Sequence, residues 1–135
     1  MSMTIIIASA GAVLALAAAG LVWRRMRPIK SERFQDRWQE VQKLCSAKES
    51  WPKAVVDADR LLDEALKKRH IAGKNMGERL VRAQRLFTDN DSVWFGHKLR
   101  SKVEGDPETK LKEDEVKNAL IGIRQALKDL GALPK

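Results

Sequence analysis

An uncharged stretch near the N-terminus constrains this chain more than any other feature. Residues 4–23 read TIIIASAGAVLALAAAGLVW and contain no charged side chain. As a helix rising about 1.5 Å per residue, the stretch would be about 30 Å long, the thickness of the hydrocarbon core of a bilayer. Trp23 falls at its end, where an indole N–H can stay hydrated at the membrane interface. The sequence therefore predicts a single transmembrane helix over residues 4–23.

The charges around this stretch predict its orientation. A secretory signal peptide places positive charge before a shorter apolar run. Here no charged side chain precedes the run, and four basic residues follow it. The positive-inside rule then predicts an uncleaved, single-pass anchor in the cytoplasmic (inner) membrane, with the N-terminus outside and the following domain in the cytoplasm. Residues 24–31 are expected to be a basic linker, with lipid headgroups contacted by Arg24, Arg25, Arg27 and Lys30.

Charge and cysteine content limit the remaining chemistry. The chain has 26 Lys and Arg against 18 Asp and Glu, a net charge of +8. The four basic residues after the anchor account for half of this excess, so the rest of the chain is only mildly basic, at +4. One cysteine, Cys45, excludes an internal disulfide. Together with only two histidines, it forms no recognisable zinc cluster, and we expect neither a metal nor another cofactor.

Residues 32–131 are predicted to form a cytoplasmic, all-α bundle of about five helices. Apolar residues recur at spacings of three and four, and no segment alternates long enough to indicate a strand. Ser31 is the expected N-cap of the first helix, and Asp91 or Ser92 that of the fourth. The predicted helices cover residues 31–48, 52–70, 76–87, 92–103 and 113–130.

Two charged residues occupy apolar faces of these predicted helices. Asp59 shares the inward face of the second helix and Arg100 that of the fourth, with His97 at the edge of that face. An uncompensated buried charge costs several kcal/mol, so each needs a partner. The favoured interpretation is that Asp59 and Arg100 meet each other, or backbone caps, in the core. A functional site and ordinary exposure remain open.

Several segments resemble one family. WPKAVVDADRLLDEALKKRHIAGKNMGERL begins at residue 51, VWFGHKLRSKVEGD begins at residue 93, and LKDLG ends the last predicted helix. Together they resemble small bacterial proteins of the HEPN superfamily, over about residues 38–131. The resemblance implies a helical fold. In many members it implies a metal-independent ribonuclease, often of a toxin–antitoxin system, whose R-x4-6-H motif is assembled across a dimer.

The HEPN motif is degenerate in this chain. Arg100 matches the motif arginine, Ser101 stands where Asn is usual, and Gly105 stands where the histidine is expected. His97 precedes Arg100 by three residues and is therefore in the wrong order. Loss of the histidine removes an acid–base contribution of about 10²–10⁴-fold. The resemblance thus predicts that His97, Arg100, Ser101 and Gly105 are remnants of a ribonuclease site.

These observations favour a membrane-anchored, non-catalytic helical module for protein interaction or dimerisation. Its expected partners are the bilayer and an unidentified protein, and a homodimer is open. Catalysis is the least favoured class, because the chain has no Gly-rich phosphate loop and no Ser-His-Asp set. The alternative is RNA or nucleotide binding, or a toxin–antitoxin-type HEPN protein, although the sequence shows no evident aromatic ladder for stacking bases. Its candidate phosphate-binding face consists of Arg79, Arg82, Arg85 and Lys98.

Overall fold

The computed structural model describes Ile29 and residues 33–135, which form a bundle of five α-helices. Short 3-10 turns lie at Lys48–Ser50 and Gln84–Leu86, and this part of the chain contains no strand. The predicted all-α bundle is thus confirmed. The helices are α1 Arg33–Leu44, α2 Trp51–Lys68, α3 Met76–Arg82, α4 Asn90–Gly105 and α5 Glu113–Asp129.

The membrane part of the predicted fold is corrected. Across Ile29 and residues 33–135, no helix is both long and apolar enough to cross a membrane. Even α2, with 18 residues, contains eight charged side chains. This finding overturns the predicted fold class in its membrane-spanning part and the predicted location in the inner membrane. The stretch 4–23 and the expected lipid contacts Arg24, Arg25, Arg27 and Lys30 lie outside the described residues.

Local hydrogen bonds explain where the helices begin and end. Asn75 caps α3, because its Oδ1 accepts from the backbone N–H of Glu78 at 2.9 Å. The cap of α4 is Asp89, whose carboxylate accepts from the backbone N–H of Ser92 at 3.1 Å and from its hydroxyl at 2.6 Å. The predicted cap at Asp91 or Ser92 is therefore wrong by two or three residues. α1 ends at Leu44, four residues before its predicted end.

Helix α2 lies at the centre of the core and packs against α1, α4 and α5. Its inward face buries the apolar residues predicted from spacing, including Leu62 and Leu66. The far end of the bundle is closed by the chain after α5, where Ala132 and Leu133 are buried. There the backbone N–H of Ile29 donates to the carbonyl of Gly131 at 3.0 Å.

Two glycines let α4 and α5 approach closely. A Cβ at Gly122 would lie 2.7 Å from atoms of Ser92, and a Cβ at Gly96 would lie 3.0 Å from the side chain of Ile123. Real Cβ atoms do not come as close as 2.7 Å, so any larger residue at Gly122 would push the helices apart. This close contact holds α4 so that His97 and Arg100 meet α2.

Candidate functional site

A buried carboxylate organises the residues that the sequence singled out. Asp59 on α2 has no exposed surface, and Arg100 Nη1 lies 3.3 Å from its Oδ2. His97 Nδ1 lies 2.8 Å from the same oxygen. The Asp59–Arg100 pair expected from the helical faces is thus present in the structure, and His97 joins it as a third member. Asp59, His97 and Arg100 are called the Asp59 cluster below.

The Asp59 cluster reaches the surface through its two basic members. The side chains of Arg100 and His97 are 18% and 19% exposed. Arg100 Nε also donates to Glu104 Oε1 at 2.9 Å, one helical turn further along α4. Burial alone would lower the pKa of Arg100. The Glu104 hydrogen bond and the charge of Asp59 outweigh it and raise that pKa above its ordinary value, so the guanidinium stays charged.

The other Asp59 oxygen, Oδ1, is buried without a hydrogen-bond donor among the described residues. A buried acceptor without a donor costs roughly 1–3 kcal/mol. The Asp59 cluster is therefore electrostatically paired but incompletely hydrogen-bonded. The rings of Trp94 and His97 meet in a T-shaped arrangement, with their centroids 5.8 Å apart and their planes at 78°.

The degenerate-motif residues do not converge on one point. Ser101 is exposed, and its hydroxyl donates to the His97 carbonyl at 3.2 Å, within its own helix. Gly105 is the exposed last residue of α4, and a Cβ added there would meet no atom within 4 Å. Of the four, only His97 and Arg100 contact the buried carboxylate.

The candidate phosphate-binding face loses its first member. Arg79 is buried, and its Nε and Nη2 donate to the two oxygens of Asp63 at 2.7 and 3.0 Å. Its Nη1 donates to the Gly73 carbonyl at 2.8 Å. Arg79 therefore pairs within the fold and links α3 to α2. Arg82, Arg85 and Lys98 are exposed.

An apolar groove between α1 and α5 was not anticipated from the sequence. It has a volume of about 350 Å³, at the lower end of the range of about 300–1,000 Å³ typical of ligand pockets. The Trp51 indole N–H donates to the Cys45 carbonyl at 2.9 Å and so fixes one end of the groove. We call this cavity the α1–α5 groove. Its apolar lining consists of Trp38, Val41, Cys45, Trp51, Val116 and Leu120.

The apolar surface continues beyond the groove. Ile121 stands at the rim and is 58% exposed. It also lines a neighbouring depression with Phe95, which is 40% exposed. Apolar spacing along α5 could not single out Ile121, because residues of α1 and α4 on either side complete the apolar surface around it.

The described residues contain no group of three or more His, Cys, Asp or Glu side chains placed to hold a metal ion. Cys45 lies in the α1–α5 groove, where burial raises the pKa of its thiol. A thiol with a raised pKa is mostly protonated at neutral pH and is a weak nucleophile. Cys45 therefore contributes apolar surface to the groove rather than a reactive thiolate.

No family model, curated protein or solved structure matches this chain significantly. The resemblance to HEPN proteins therefore stays a prediction drawn from the quoted segments.

Proposed function

We propose that this chain is a non-catalytic, HEPN-like helical module that binds a partner protein through the α1–α5 groove. The observation that carries the proposal is the continuous apolar surface from the groove over Ile121 to Phe95. Large apolar side chains grouped at the surface of a folded protein mark interaction sites. Cores of binding surfaces are rich in aromatic residues, as at Trp38 and Trp51.

The non-catalytic character rests on the degenerate motif. Gly105 stands where the HEPN histidine is expected, and Arg100 is held by Asp59 and Glu104. An arginine that already pairs with two carboxylates offers less positive charge to a phosphate transition state.

RNA or nucleotide binding is the weaker candidate. Phosphate binding depends on cations that are free to face the backbone. Arg79 forms an ion pair with Asp63. The exposed cations of the candidate face are therefore Arg82, Arg85 and Lys98.

A site-specific crosslinking experiment tests the proposal. A photo-crosslinking amino acid replaces Ile121 in the whole chain, expressed in the cells that naturally produce it. Val81, which is 53% exposed on α3 and outside the groove, is the matched control position. We expect a discrete protein adduct from position 121 that is absent from position 81.

The protein identified in this way is then purified and titrated against the whole chain. Cys45→Trp should weaken its binding at least about tenfold, because the larger side chain fills the groove, and Ile121→Ser should weaken it as well. Val81→Ser should leave binding unchanged. Equal adducts at both positions, or binding that survives Cys45→Trp in a folded variant, would refute the proposal.

A further inference from the structure

The edge of α5 that borders the α1–α5 groove carries a row of positive charge. Lys117, Ile121, Arg124 and Lys128 follow one another at spacings of four, three and four residues, which places them along one side of the helix. Lys117 and Arg124 line the groove itself. Arg124 and Lys128 line its continuation, a depression of about 320 Å³ that shares Trp38 with the groove. The three cations of this row, Lys117, Arg124 and Lys128, are called the α5 basic stripe below.

The α5 basic stripe is not neutralised within the described part of the chain. None of its three cations forms an ion pair there. The facing wall of the depression, on α1, presents the neutral amides of Gln35, Gln39 and Gln42. Glu113 is the one acidic residue that lines either cavity, and it lies at the N-terminal end of α5. The groove and its continuation therefore have an apolar floor and one positive edge about 16 Å long, because Lys117 and Lys128 are eleven residue steps apart at about 1.5 Å per step.

We infer that the α1–α5 groove binds an amphipathic α-helix of the partner protein, with Asp or Glu side chains beside its apolar face. This inference rests on the proposed function and adds the chemistry of the partner. An apolar channel between two helices suits a third helix that inserts side chains at positions i, i+3 or i+4, and i+7. Acidic residues along its flank would then face the α5 basic stripe, and such charge complementarity sets orientation and excludes wrong partners.

Two other occupants fit the charges less well. Residues 4–23 of this chain are apolar but carry no acidic side chain that could meet Lys117, Arg124 or Lys128. A second copy docked through the same face would bring its own α5 basic stripe against the first. Addition of an extended strand needs a sheet edge, and residues 33–135 contain no strand.

Three stapled helical peptides provide the direct test. They share one row of leucines, and their flanking positions carry Glu, Gln or Lys. Binding to the whole chain is followed by tryptophan fluorescence and by protection of Cys45 from alkylation. We expect the Glu peptide to bind about tenfold or more tightly than the Lys peptide at low salt, with the Gln peptide between them. The difference should shrink as salt is added.

Charge reversal on the protein locates the effect. The triple variant Lys117→Glu/Arg124→Glu/Lys128→Glu should reverse the order of the three peptides. A matched variant with the same change in charge elsewhere on the surface should keep it. That control is Arg82→Glu/Arg85→Glu/Lys98→Glu.

Several results would overturn the inference. They are no binding of any peptide, equal affinity for all three, or the same loss in both triple variants. A self-association that Ile121→Ser abolishes would assign the groove to a second copy. Binding of a single-stranded RNA that the α5 variant loses, but Ile121→Ser does not, would assign the stripe to nucleic acid. If the peptides fail while a protein crosslinked at position 121 still binds, the partner chemistry is wrong and the proposed function stands.

Discussion

Replacing Asp59 by Ala should reveal how much the Asp59 cluster contributes to stability. Removing one member of a buried ion pair costs about 3–5 kcal/mol, because the other charge is left without its partner. Here the cost should fall to about 2–3 kcal/mol for two reasons. Arg100 keeps Glu104 and reaches water with 18% of its side chain. The variant also removes Oδ1, which has no donor among the described residues.

Urea unfolding followed by tryptophan fluorescence measures this loss in the whole chain. Asp57→Ala is the matched control, since Asp57 lies on the same helix and pairs with Lys53 at the surface. That exposed pair should contribute less than about 0.5 kcal/mol. A double-mutant cycle with Arg100→Ala should give a coupling between Asp59 and Arg100 of at least about 1 kcal/mol. A loss below about 1 kcal/mol for Asp59→Ala, or additivity of Asp59→Ala and Arg100→Ala, would refute the reasoning.

Three further predictions concern backbone space and pH. Gly105→Ala should raise the free energy of unfolding by about 0.5 kcal/mol, because the added methyl group meets no atom and the unfolded chain loses freedom. Gly122→Ala should lower the free energy of unfolding by about 1–3 kcal/mol, because its methyl group would lie 2.7 Å from Ser92. Equal changes in the free energy of unfolding for the two variants, measured in urea, would contradict both predictions. The hydrogen bonds from Ser92 lower the pKa of Asp89, so this cap stabilises the fold above the ordinary carboxyl pKa and loses its effect as pH falls through the lowered value. Asp89→Asn should remove this acid sensitivity when unfolding is measured from pH 7 to pH 3, and an unchanged profile would argue against it.

The helices and their buried faces could be predicted because they depend on local spacing. Leu62 and Leu66 on α2, and Ile123 and Leu127 on α5, are all fully buried as their periodicity indicated. Helix ends were predicted less well. α1 stops at Leu44 and α4 begins after Asp89, because capping depends on backbone geometry as well as on residue type.

Part of the candidate site also followed from helical faces. The spacing placed Asp59 and Arg100 on inward faces, and in the structure Arg100 Nη1 lies 3.3 Å from Asp59 Oδ2. It did not pair His97 with Asp59, which lies 38 residues earlier. The spacing also placed Arg79 on a surface face, although Arg79 is buried and paired with Asp63 of the neighbouring helix. The pattern of one helix cannot indicate which acidic group a second helix brings to it.

The sequence by itself determined the helical character of residues 33–135, the identity of most core residues and the lack of an internal disulfide. These properties depend on the order and type of nearby residues. Only the tertiary structure added His97 to the Asp59–Arg100 pair, paired Arg79 with Asp63 and left an apolar surface open. Gly96 and Gly122 draw α4 against α5, while α1 and α5 stay apart and leave the α1–α5 groove between them. Such a groove depends on distances between helices that are far apart along the chain, and these distances follow only from the packing of the whole core.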